Sequence, residues 1–208
     1  MRRIVVLGVA LIVSGCAASY GERAAGFLSP QLASAYVPLE GTTLIVLKAH
    51  AAAFVIAPGV AVTNAHNQAI IGGAPIIGQS RNYDLLFFHV DKNSEVSTAA
   101  PSAGEGVIAY GQGASGELRE ARGTVVLLNA PVEARCETCA VQSAFTFEGD
   151  AGPGFSGGPV VDARTGRLVG ITFGFLDPRG HRTMYAYPIG RVRNELSAIE
   201  HKLPTDVD

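Results

Sequence analysis

Short runs of apolar or β-branched residues, each broken by glycine, proline or polar turn residues, dominate the chain from residue 43 to residue 188. Short runs of this kind between turn signals predict β-strands. The predicted strands cover residues 43–47, 53–56, 60–63, 85–90, 107–110, 123–128, 141–147, 159–161, 168–173 and 184–188. No strand–helix–strand alternation occurs, so the pattern predicts an all-β body of antiparallel sheets, as a sandwich or as paired barrels, and not a parallel sheet.

Helical spacing occurs only near the end of the chain. Four apolar residues there fall on one helical face: Ile189, Val192, Leu196 and Ile199. They predict one amphipathic C-terminal helix at about 189–202. Residues 94–106 are rich in small side chains and are expected to cross between two β halves, the first at about 39–95 and the second at about 105–190.

Composition agrees with this division and excludes one class of partner. The chain has 208 residues, of which 48% are hydrophobic, which is enough for one globular unit or for two small halves packed together. Its 25 glycines and 11 prolines favour many turns. The formal net charge is −2 with no basic stripe, so nucleic acid is not an expected partner.

The N-terminus predicts export and lipid attachment. A short basic start is followed by an apolar run at residues 4–13, which is too short to span a membrane and is typical of an export signal. The run ends on "VSGC", which resembles the bacterial lipobox, where diacylglycerol is attached to the cysteine before cleavage. The alternative is an ordinary secretory signal in which Cys16 is incidental.

On the lipoprotein interpretation, residues 1–15 are removed and Cys16 becomes a lipid anchor. Residues 16–38 are then expected to be a tether, with some hydrophobic residues that could dock on the body. Ala17 follows the cysteine, and by resemblance to enterobacterial lipoproteins this favours the outer membrane. The expected location is the bacterial cell envelope, facing the periplasm.

Two further cysteines, Cys136 and Cys139, stand in "CETC". One such pair offers too few ligands for a structural zinc site, and no βαβ unit surrounds it to suggest a redox motif. In an oxidising compartment a local disulfide across a hairpin turn is the simplest expectation.

The stretch "GDAGPGFSGGPVVD", residues 149–162, surrounds Ser156 with glycine and proline. Such a run predicts a loop, and the plainest interpretation is an ordinary turn. Serine chemistry needs a base and a carboxylate that orients the base. His66 ends the β run "GVAVTNAHN", and Asp84 begins the apolar strand in "NYDLLFFHV". Each also has an ordinary interpretation, as a solvated histidine and as a turn-capping aspartate.

Taken together, three motifs resemble those of the trypsin-like (chymotrypsin-fold) serine proteases. "VTNAH" is similar to the histidine motif T-A-A-H, "YDLLFFHV" to the aspartate motif, and "GFSGGPVVD" to the serine motif G-[DN]-S-G-G-P. Their order along the chain is the family order. "GRLVGITFGF" and "MYAYPI" also resemble the family's later strands, so the resemblance spans residues 43–189.

The resemblance implies two packed antiparallel Greek-key barrels, a C-terminal helix and hydrolysis of peptide bonds in a protein or peptide substrate. It implies that Ser156 is the nucleophile, that His66 is the general base and that Asp84 orients His66. The amides of Gly154 and Ser156 would form the oxyanion hole, and other glycines would allow close packing behind the serine. The substrate would pair with the strand edge at Ile171, Thr172, Phe173 and Gly174. No metal or cofactor is required.

Several departures refine the resemblance. Phe155 stands where digestive enzymes have the aspartate that pairs with a new N-terminus, and the chain has no I-V-G-G start, so activation by that route is not expected. The chain is more similar to the bacterial HtrA-type branch, although no sequence for a PDZ domain follows the helix. The short interval from His66 to Asp84 implies a trimmed first barrel, and Asn64 replaces a small residue.

Two questions stay open at this level. Asp150 lies six residues before Ser156, and the resemblance to trypsin-like enzymes implies that an acid at this position favours cleavage after Arg or Lys. An HtrA-type alignment instead makes Asp150 structural and the specificity pocket apolar, lined by Phe173. The alternative function is an inactive trypsin-fold lipoprotein that acts as a binding module.

Overall fold

The computed structural model describes residues 20–43, 47–132, 142–177 and 182–201. The predicted signal, Cys16, Cys136 and Cys139 lie outside these ranges. The described elements are β1 (Glu22–Arg23), α1 (Pro30–Ala35), β2 (Tyr36–Thr43), β3 (Leu47–Ala57), β4 (Val60–Thr63), a 3₁₀ helix (Ala65–Ile70), β5 (Ile76–Gln79), β6 (Leu86–His89), β7 (Gly106–Gln112), β8 (Leu118–Val132), β9 (Gln142–Glu148), β10 (Pro159–Asp162), β11 (Leu168–Leu176), β12 (Thr183–Pro188) and α2 (Ile189–Glu200).

The second half of the chain forms a closed barrel. Its seven-stranded antiparallel sheet has the order β1-β8-β7-β10-β11-β12-β9, and an additional β8–β9 pairing closes six of these strands into a ring. The short strand β1 adds to the outside of β8. The six strands of the ring fill the barrel interior with buried apolar side chains, among them Val125, Phe147 and Met184. The predicted all-β architecture is thereby confirmed for this half.

The first half is a smaller antiparallel sheet of five strands, in the order β2-β3-β4-β6-β5. Strands β4 and β6 lie side by side, with Thr63 opposite Leu86. The interval between these strands holds only the 3₁₀ helix and β5, which agrees with the trimmed first half expected from the sequence. Among the described residues, no further pairing closes this sheet.

Residues 20–38, predicted as part of a tether, are built into the body. Ser29 caps α1 by accepting a hydrogen bond from the Leu32 amide at 3.2 Å, and the proline that follows it occupies the first turn, where its missing N–H is not needed. Leu32 is fully buried, and Tyr36 already belongs to β2. The hydrophobic residues that were expected to dock therefore do more, because they complete the core. The body therefore includes residues 20–38 and does not begin at residue 39.

The C-terminal helix α2 joins the two halves. Its predicted apolar face is confirmed, since Ile189, Val192 and Leu196 are buried. The helix packs on β11 and β12 of the barrel and on β5 of the smaller sheet. Ser80 donates a hydrogen bond to Glu195 at 2.7 Å, which fixes the helix to the end of β5. No helix in the described part of the chain has the length and apolarity needed to cross a bilayer.

Candidate active site

His66 and Asp84 come together because they extend from neighbouring strands. His66 lies in the 3₁₀ helix that follows β4, and Asp84 precedes β6, the strand paired with β4. His66 Nδ1 lies 2.5 Å from Asp84 Oδ2, and the His66 amide donates to Asp84 Oδ1 at 3.0 Å. The carboxylate therefore holds both the ring and the backbone of the histidine. The ring has its Nδ1 edge occupied, which leaves Nε2 for another partner.

Asp84 is itself held from two sides. Asn64, which the sequence marks only as a departure from the family motif, donates its side-chain amide to the Asp84 carbonyl at 2.9 Å. The Asp84 amide donates to the Tyr187 hydroxyl at 3.2 Å, and Tyr187 belongs to β12 of the barrel. Partial burial opposes ionisation of Asp84, but the hydrogen bonds and the charge of His66 outweigh it and hold its pKa below the usual value. Asp84 is consequently ionised at neutral pH.

Ser156 lies in a loop of two consecutive tight turns, here called the serine loop (residues 150–158). The Phe155 amide donates to the Gly152 carbonyl at 3.0 Å, and the Gly158 amide donates to the Phe155 carbonyl at 2.9 Å. Gly154 has φ +95° and Gly157 has φ +78°, each at the third position of its turn. That position of a type II turn requires a positive φ, which glycine adopts without strain. The turns leave Ser156 partly exposed.

The glycines of the serine loop also allow close backbone contacts. A Cβ on Gly154 would lie 2.0 Å from the Gln112 carbonyl oxygen, and one on Gly157 would lie 2.1 Å from the Ala52 carbonyl oxygen. A Cβ on Gly158 would lie 2.0 Å from the carbonyl oxygen of Tyr110, on β7. The prediction that these glycines permit close packing around the serine is confirmed.

Two amides of the serine loop, one on either side of Phe155, are not used in its turns. Within the ranges that the structure describes, the amides of Gly154 and Ser156 have no hydrogen-bond acceptor, whereas the amide of Phe155 between them is used in its turn. Buried or crowded amides are nearly always paired in native structures. Two neighbouring donors without an acceptor are therefore suited to receive an oxygen atom from a bound molecule.

A hydrogen-bonded bridge joins the two halves behind the serine. The Ser156 carbonyl accepts from the Ala52 amide at 2.9 Å and from the side chain of Asn67 at 3.3 Å. Asn67 also donates to the Thr63 hydroxyl at 3.0 Å, and that hydroxyl donates to the Ala52 carbonyl at 2.7 Å. Asn67 directly follows His66 in the 3₁₀ helix. The bridge thus ties the segment that carries the histidine to the loop that carries the serine.

The strand edge predicted for substrate pairing is shorter than expected. Ile171 has β10 on one side and β12 on the other, so its backbone has no free edge. Thr172 donates to the Gly158 carbonyl and accepts from the Gly157 amide, both at 2.9 Å. These contacts correct the prediction to the part of β11 from Phe173 onward, where β12 is the one strand paired among the described residues. The Phe173 ring stacks on Tyr187 with centroids 3.9 Å apart.

Asp150 lies at the start of the serine loop with an exposed side chain. Its carboxylate pairs with Arg182 at 2.7 Å and is 75% exposed, whereas the arginine side chain is only 14% exposed. Arg182 also pairs with Asp177 at 2.8 Å. An acid that binds an Arg or Lys side chain of a substrate would need to be buried and unpaired. The geometry therefore favours the structural interpretation of Asp150.

Sequence reasoning missed three residues that position the site, namely Asn67, Tyr187 and Gln112. Gln112 is buried at the end of β7, and its side chain donates to the carbonyls of Leu39 and Ala51 in the smaller sheet. No pattern marks such residues, because their partners are distant in sequence. Among the described residues no group of His, Cys, Asp or Glu is arranged to hold a metal ion.

Comparison with known proteins adds a family match and a fold match. Residues 71–171 match the family model described as the trypsin-like peptidase domain, a range that contains Asp84 and Ser156 and begins just after His66. No curated protein sequence matches the chain. The trypsin-like fold predicted from the motifs is confirmed by similar solved structures, all of proteases.

The active form of the Rv3671c protease from M. tuberculosis is 22% identical with a TM-score of 0.66, and the match covers 82% of this chain and 84% of that one. The MamO protease domain from Magnetospirillum magneticum is 20% identical with a TM-score of 0.60, covering 79% and 97%. The HtrA-type protease AlgW with a tripeptide is 21% identical with a TM-score of 0.65, covering 82% and 62%.

Proposed function

We propose that the protein is a serine endopeptidase that hydrolyses peptide bonds through an acyl-enzyme. Ser156 is the nucleophile, His66 is the general base and then the general acid, and Asp84 keeps the His66 ring oriented and stabilises its charged form. The amides of Gly154 and Ser156 receive the carbonyl oxygen of the substrate when it becomes negative.

The reaction proceeds in two halves. Ser156 Oγ attacks the peptide carbonyl carbon while His66 Nε2 takes the hydroxyl proton. The C–N bond then breaks, and His66 returns the proton to the leaving amine. A water molecule attacks the resulting ester with His66 again acting as base, and the carboxylic acid leaves as Ser156 regains its proton. The protein is unchanged at the end, and no metal or cofactor takes part.

The observation that carries this proposal is the connected path from Asp84 to the serine loop. Asp84 holds His66 at 2.5 Å, and Asn67, the next residue, donates to the Ser156 carbonyl at 3.3 Å. A surface histidine without a role in the site would not need a hydrogen-bonded connection to the loop that carries Ser156. The amides of Gly154 and Ser156, which have no acceptor among the described residues, add a second element that hydrolysis of an acyl group needs.

Substrate recognition uses the edge of β11 that no strand of the described ranges occupies. A substrate strand pairs with the backbone from Phe173 to Gly174, because β12 is the one described strand paired with this segment and lies on its other side. The side chain before the cleaved bond enters an apolar pocket next to Phe173. Since Asp150 is already paired with Arg182, it contributes no binding site for Arg or Lys.

The test is active-site labelling and turnover with Ser156→Ala. The wild-type protein should react with a fluorophosphonate probe and cleave an unstructured protein such as casein. Ser156→Ala should lose the label and about 10⁶-fold in kcat while keeping its unfolding midpoint. The control is Ser143→Ala, which removes another partly exposed hydroxyl, bonded to Asn129 at 3.1 Å in the barrel, and should keep both activities. A wild-type protein that is neither labelled nor active would favour the binding-module function instead.

The proposed site of action is the bacterial envelope, with lipid on Cys16. The apolar run and the "VSGC" sequence support this assignment. Cells fed radiolabelled palmitate should label the wild-type protein and not Cys16→Ser, which should also leave the membrane fraction or remain unprocessed. Label that persists in the variant would contradict the anchor.

The same location supports a disulfide between Cys136 and Cys139. Protein isolated from the envelope and denatured without reductant should show neither thiol free. Two reactive thiols in fresh material would contradict the pairing.

A further inference from the structure

Phe155, which stands where digestive relatives have an aspartate, is packed against the N-terminal segment of this chain. Its side chain is fully buried. A Cβ on Gly111 of β7 would lie 2.5 Å from its Cγ, and a Cβ on Gly21 would lie 2.9 Å from its Cζ. The ring therefore fits between two backbone segments that only glycine can bring so close. One of them belongs to the barrel, and the other directly precedes β1.

Tyr20 contacts the same loop at its beginning. A Cβ on Gly152 would lie 2.5 Å from Tyr20 Cδ2, so the tyrosine ring rests on the loop backbone. The Arg182 guanidinium lies 4.3 Å from the centre of the ring, and the same arginine pairs with Asp150 at 2.7 Å. Cation–π contacts of this kind are attractive when partly shielded from water. Tyr20 is thus linked to residues 150 and 152 at once.

The segment that carries these contacts is fixed on the barrel. Arg119 donates from Nε to the Tyr20 carbonyl at 3.0 Å and from Nη2 to the Gly21 carbonyl. The next two residues form β1, which pairs with β8 around Arg119 and Glu120. Tyr20 and Gly21 are therefore held in position by hydrogen bonds to the barrel. They would stay in place even if the serine loop moved.

We propose that Tyr20 and Gly21 form a brace that positions the serine loop for catalysis, in place of the ion pair used by digestive relatives. The brace acts at two points of the loop, on Gly152 and on Phe155, which lie on either side of Gly154. Because the Gly154 amide lies between these two points and belongs to the same tight turn, the brace limits how that turn can rotate and so sets the direction of this donor. The inference rests on the proposed function, and Tyr20 is a positioning residue.

The test combines Tyr20→Ala with measurements that do and do not need activity. The variant should lose about 10- to 100-fold in kcat with little change in KM, since the amides bind the transition state and not the ground state. Amide exchange in a peptide covering residues 150–158 should become faster. Tyr20→Phe keeps the ring that covers Gly152 and faces Arg182, and it should restore both properties.

The matched control is Phe27→Ala, which removes an aromatic ring from the same N-terminal segment. Phe27 packs on Tyr36 and Tyr110 with centroids 5.0 and 4.7 Å apart, and those contacts are with the body and not with residues 150–155. It should lower the unfolding midpoint at least as much as Tyr20→Ala and leave kcat and the exchange of residues 150–158 near wild type.

Two outcomes would overturn the brace. One is unchanged exchange at residues 150–158 in Tyr20→Ala, and the other is an equal increase in Phe27→Ala, which would indicate general loosening. Exchange can be measured on the protein whether or not it hydrolyses peptides. An inactive wild type in which Tyr20→Ala alone loosens the loop would therefore refute the proposed function and leave the brace standing.

Discussion

The two halves of the molecule build their parts of the site by different physical means. The five-stranded half supplies His66 and Asp84, which are held by side-chain hydrogen bonds to each other and to Asn64. The barrel supplies Ser156 on a loop whose shape comes from positive φ angles and from backbone contacts too close for a Cβ. The arrangement of His66 and Asp84 depends on hydrogen-bond donors and acceptors. The shape of the serine loop depends on space, meaning the close backbone contacts that only residues without a Cβ allow.

This difference predicts different sensitivities. Replacement of an acceptor by a donor should disable the His66–Asp84 pair with little movement of the chain, because the groups around the pair keep their shape. Addition of a single methyl group should disable the serine loop with no change in any polar group. Variants that change only one of these properties can show whether the contrast is real.

The largest effect is expected for Asp84→Asn. One oxygen can still accept from the His66 amide, but the side-chain NH₂ then faces Nδ1 and forces the ring into the tautomer with its proton on Nε2. That nitrogen can no longer take the proton of Ser156. We expect a loss of about 10⁴-fold in kcat at neutral pH, measured with a peptide substrate.

The control for this change is Asp162→Asn in the barrel. Asp162 accepts from the amides of Arg164 and Thr165 at 2.7 and 3.1 Å, so it loses the same charge in a carboxylate that caps a turn. It should lower stability without changing kcat. If Asp162→Asn reduced kcat as much as Asp84→Asn, the special role of the His66–Asp84 pair would be refuted.

The next effect is expected for Gly154→Ala, which tests the dependence on space. The added methyl would lie 2.0 Å from the Gln112 carbonyl oxygen at φ +95°, so the turn must reorient and take the amide with it. Loss of one oxyanion donor predicts a fall of about 10²- to 10³-fold in kcat. The fluorophosphonate reaction of Ser156 should slow in parallel.

Gly104→Ala separates backbone strain from crowding. Gly104 also has a positive φ, +78°, but a Cβ there would meet nothing within 4 Å. It should lower the unfolding midpoint by a similar strain and leave kcat unchanged. A Gly154→Ala protein with wild-type kcat would show that the serine loop accommodates a Cβ at this position, and it would contradict the dependence of the loop on space.

The sequence predicted the fold where apolar runs are long and the site where motifs are local. Strand β4 was predicted at its observed bounds, and α2 was predicted from its apolar face, because burial of one face leaves a direct pattern. Strands β2 and β5 were missed because glycine, and in β2 also proline and glutamate, interrupt their apolar residues and indicate turns. The strand β1 and the helix α1 were missed, since two and six residues leave no period to detect. Their stability comes from contacts with the barrel and the core.

The site shows the same limit. His66 and Asp84 were predicted as partners because their motifs resemble the histidine and aspartate motifs of trypsin-like proteases, and their contact is observed. The contribution of Asn67 to Ser156 spans 89 residues, and that of Tyr187 to Asp84 spans 103. Hydrogen bonds between residues so far apart along the chain produce no regular spacing in the sequence. They become visible only when the two halves are assembled.

A smaller effect is expected for Asn67→Ala, which cuts the bridge between the two halves. The Ser156 carbonyl keeps the Ala52 amide, so the serine loop stays folded but loses its tie to the segment of His66. The loss of two side-chain hydrogen bonds predicts destabilisation of about 1 to 3 kcal/mol, measured by urea unfolding. We expect kcat to fall about tenfold, because each part keeps its own geometry and only their mutual placement loosens.

Asn129→Ala is the matched control, since it removes an exposed asparagine that accepts one side-chain hydrogen bond, from Ser143 at 3.1 Å, among the residues that the structure describes. It should change neither stability nor kcat appreciably. Wild-type kcat in Asn67→Ala would show that the two halves need no direct tie.

The smallest effect is expected for Asp150→Ser, which tests whether the serine loop also selects the substrate by charge. Asp150 is 75% exposed and shares Arg182 with Asp177, so its removal leaves the arginine paired and costs less than about 1 kcal/mol. The preference at the cleaved position, measured with a peptide library, should be for apolar side chains in both proteins. Asp177→Ser, which removes the other partner of Arg182, should give the same profile. A wild-type preference for Arg or Lys that disappears only in Asp150→Ser would make this aspartate the base of the specificity pocket, and the barrel would then use charge as well as space to build its share of the site.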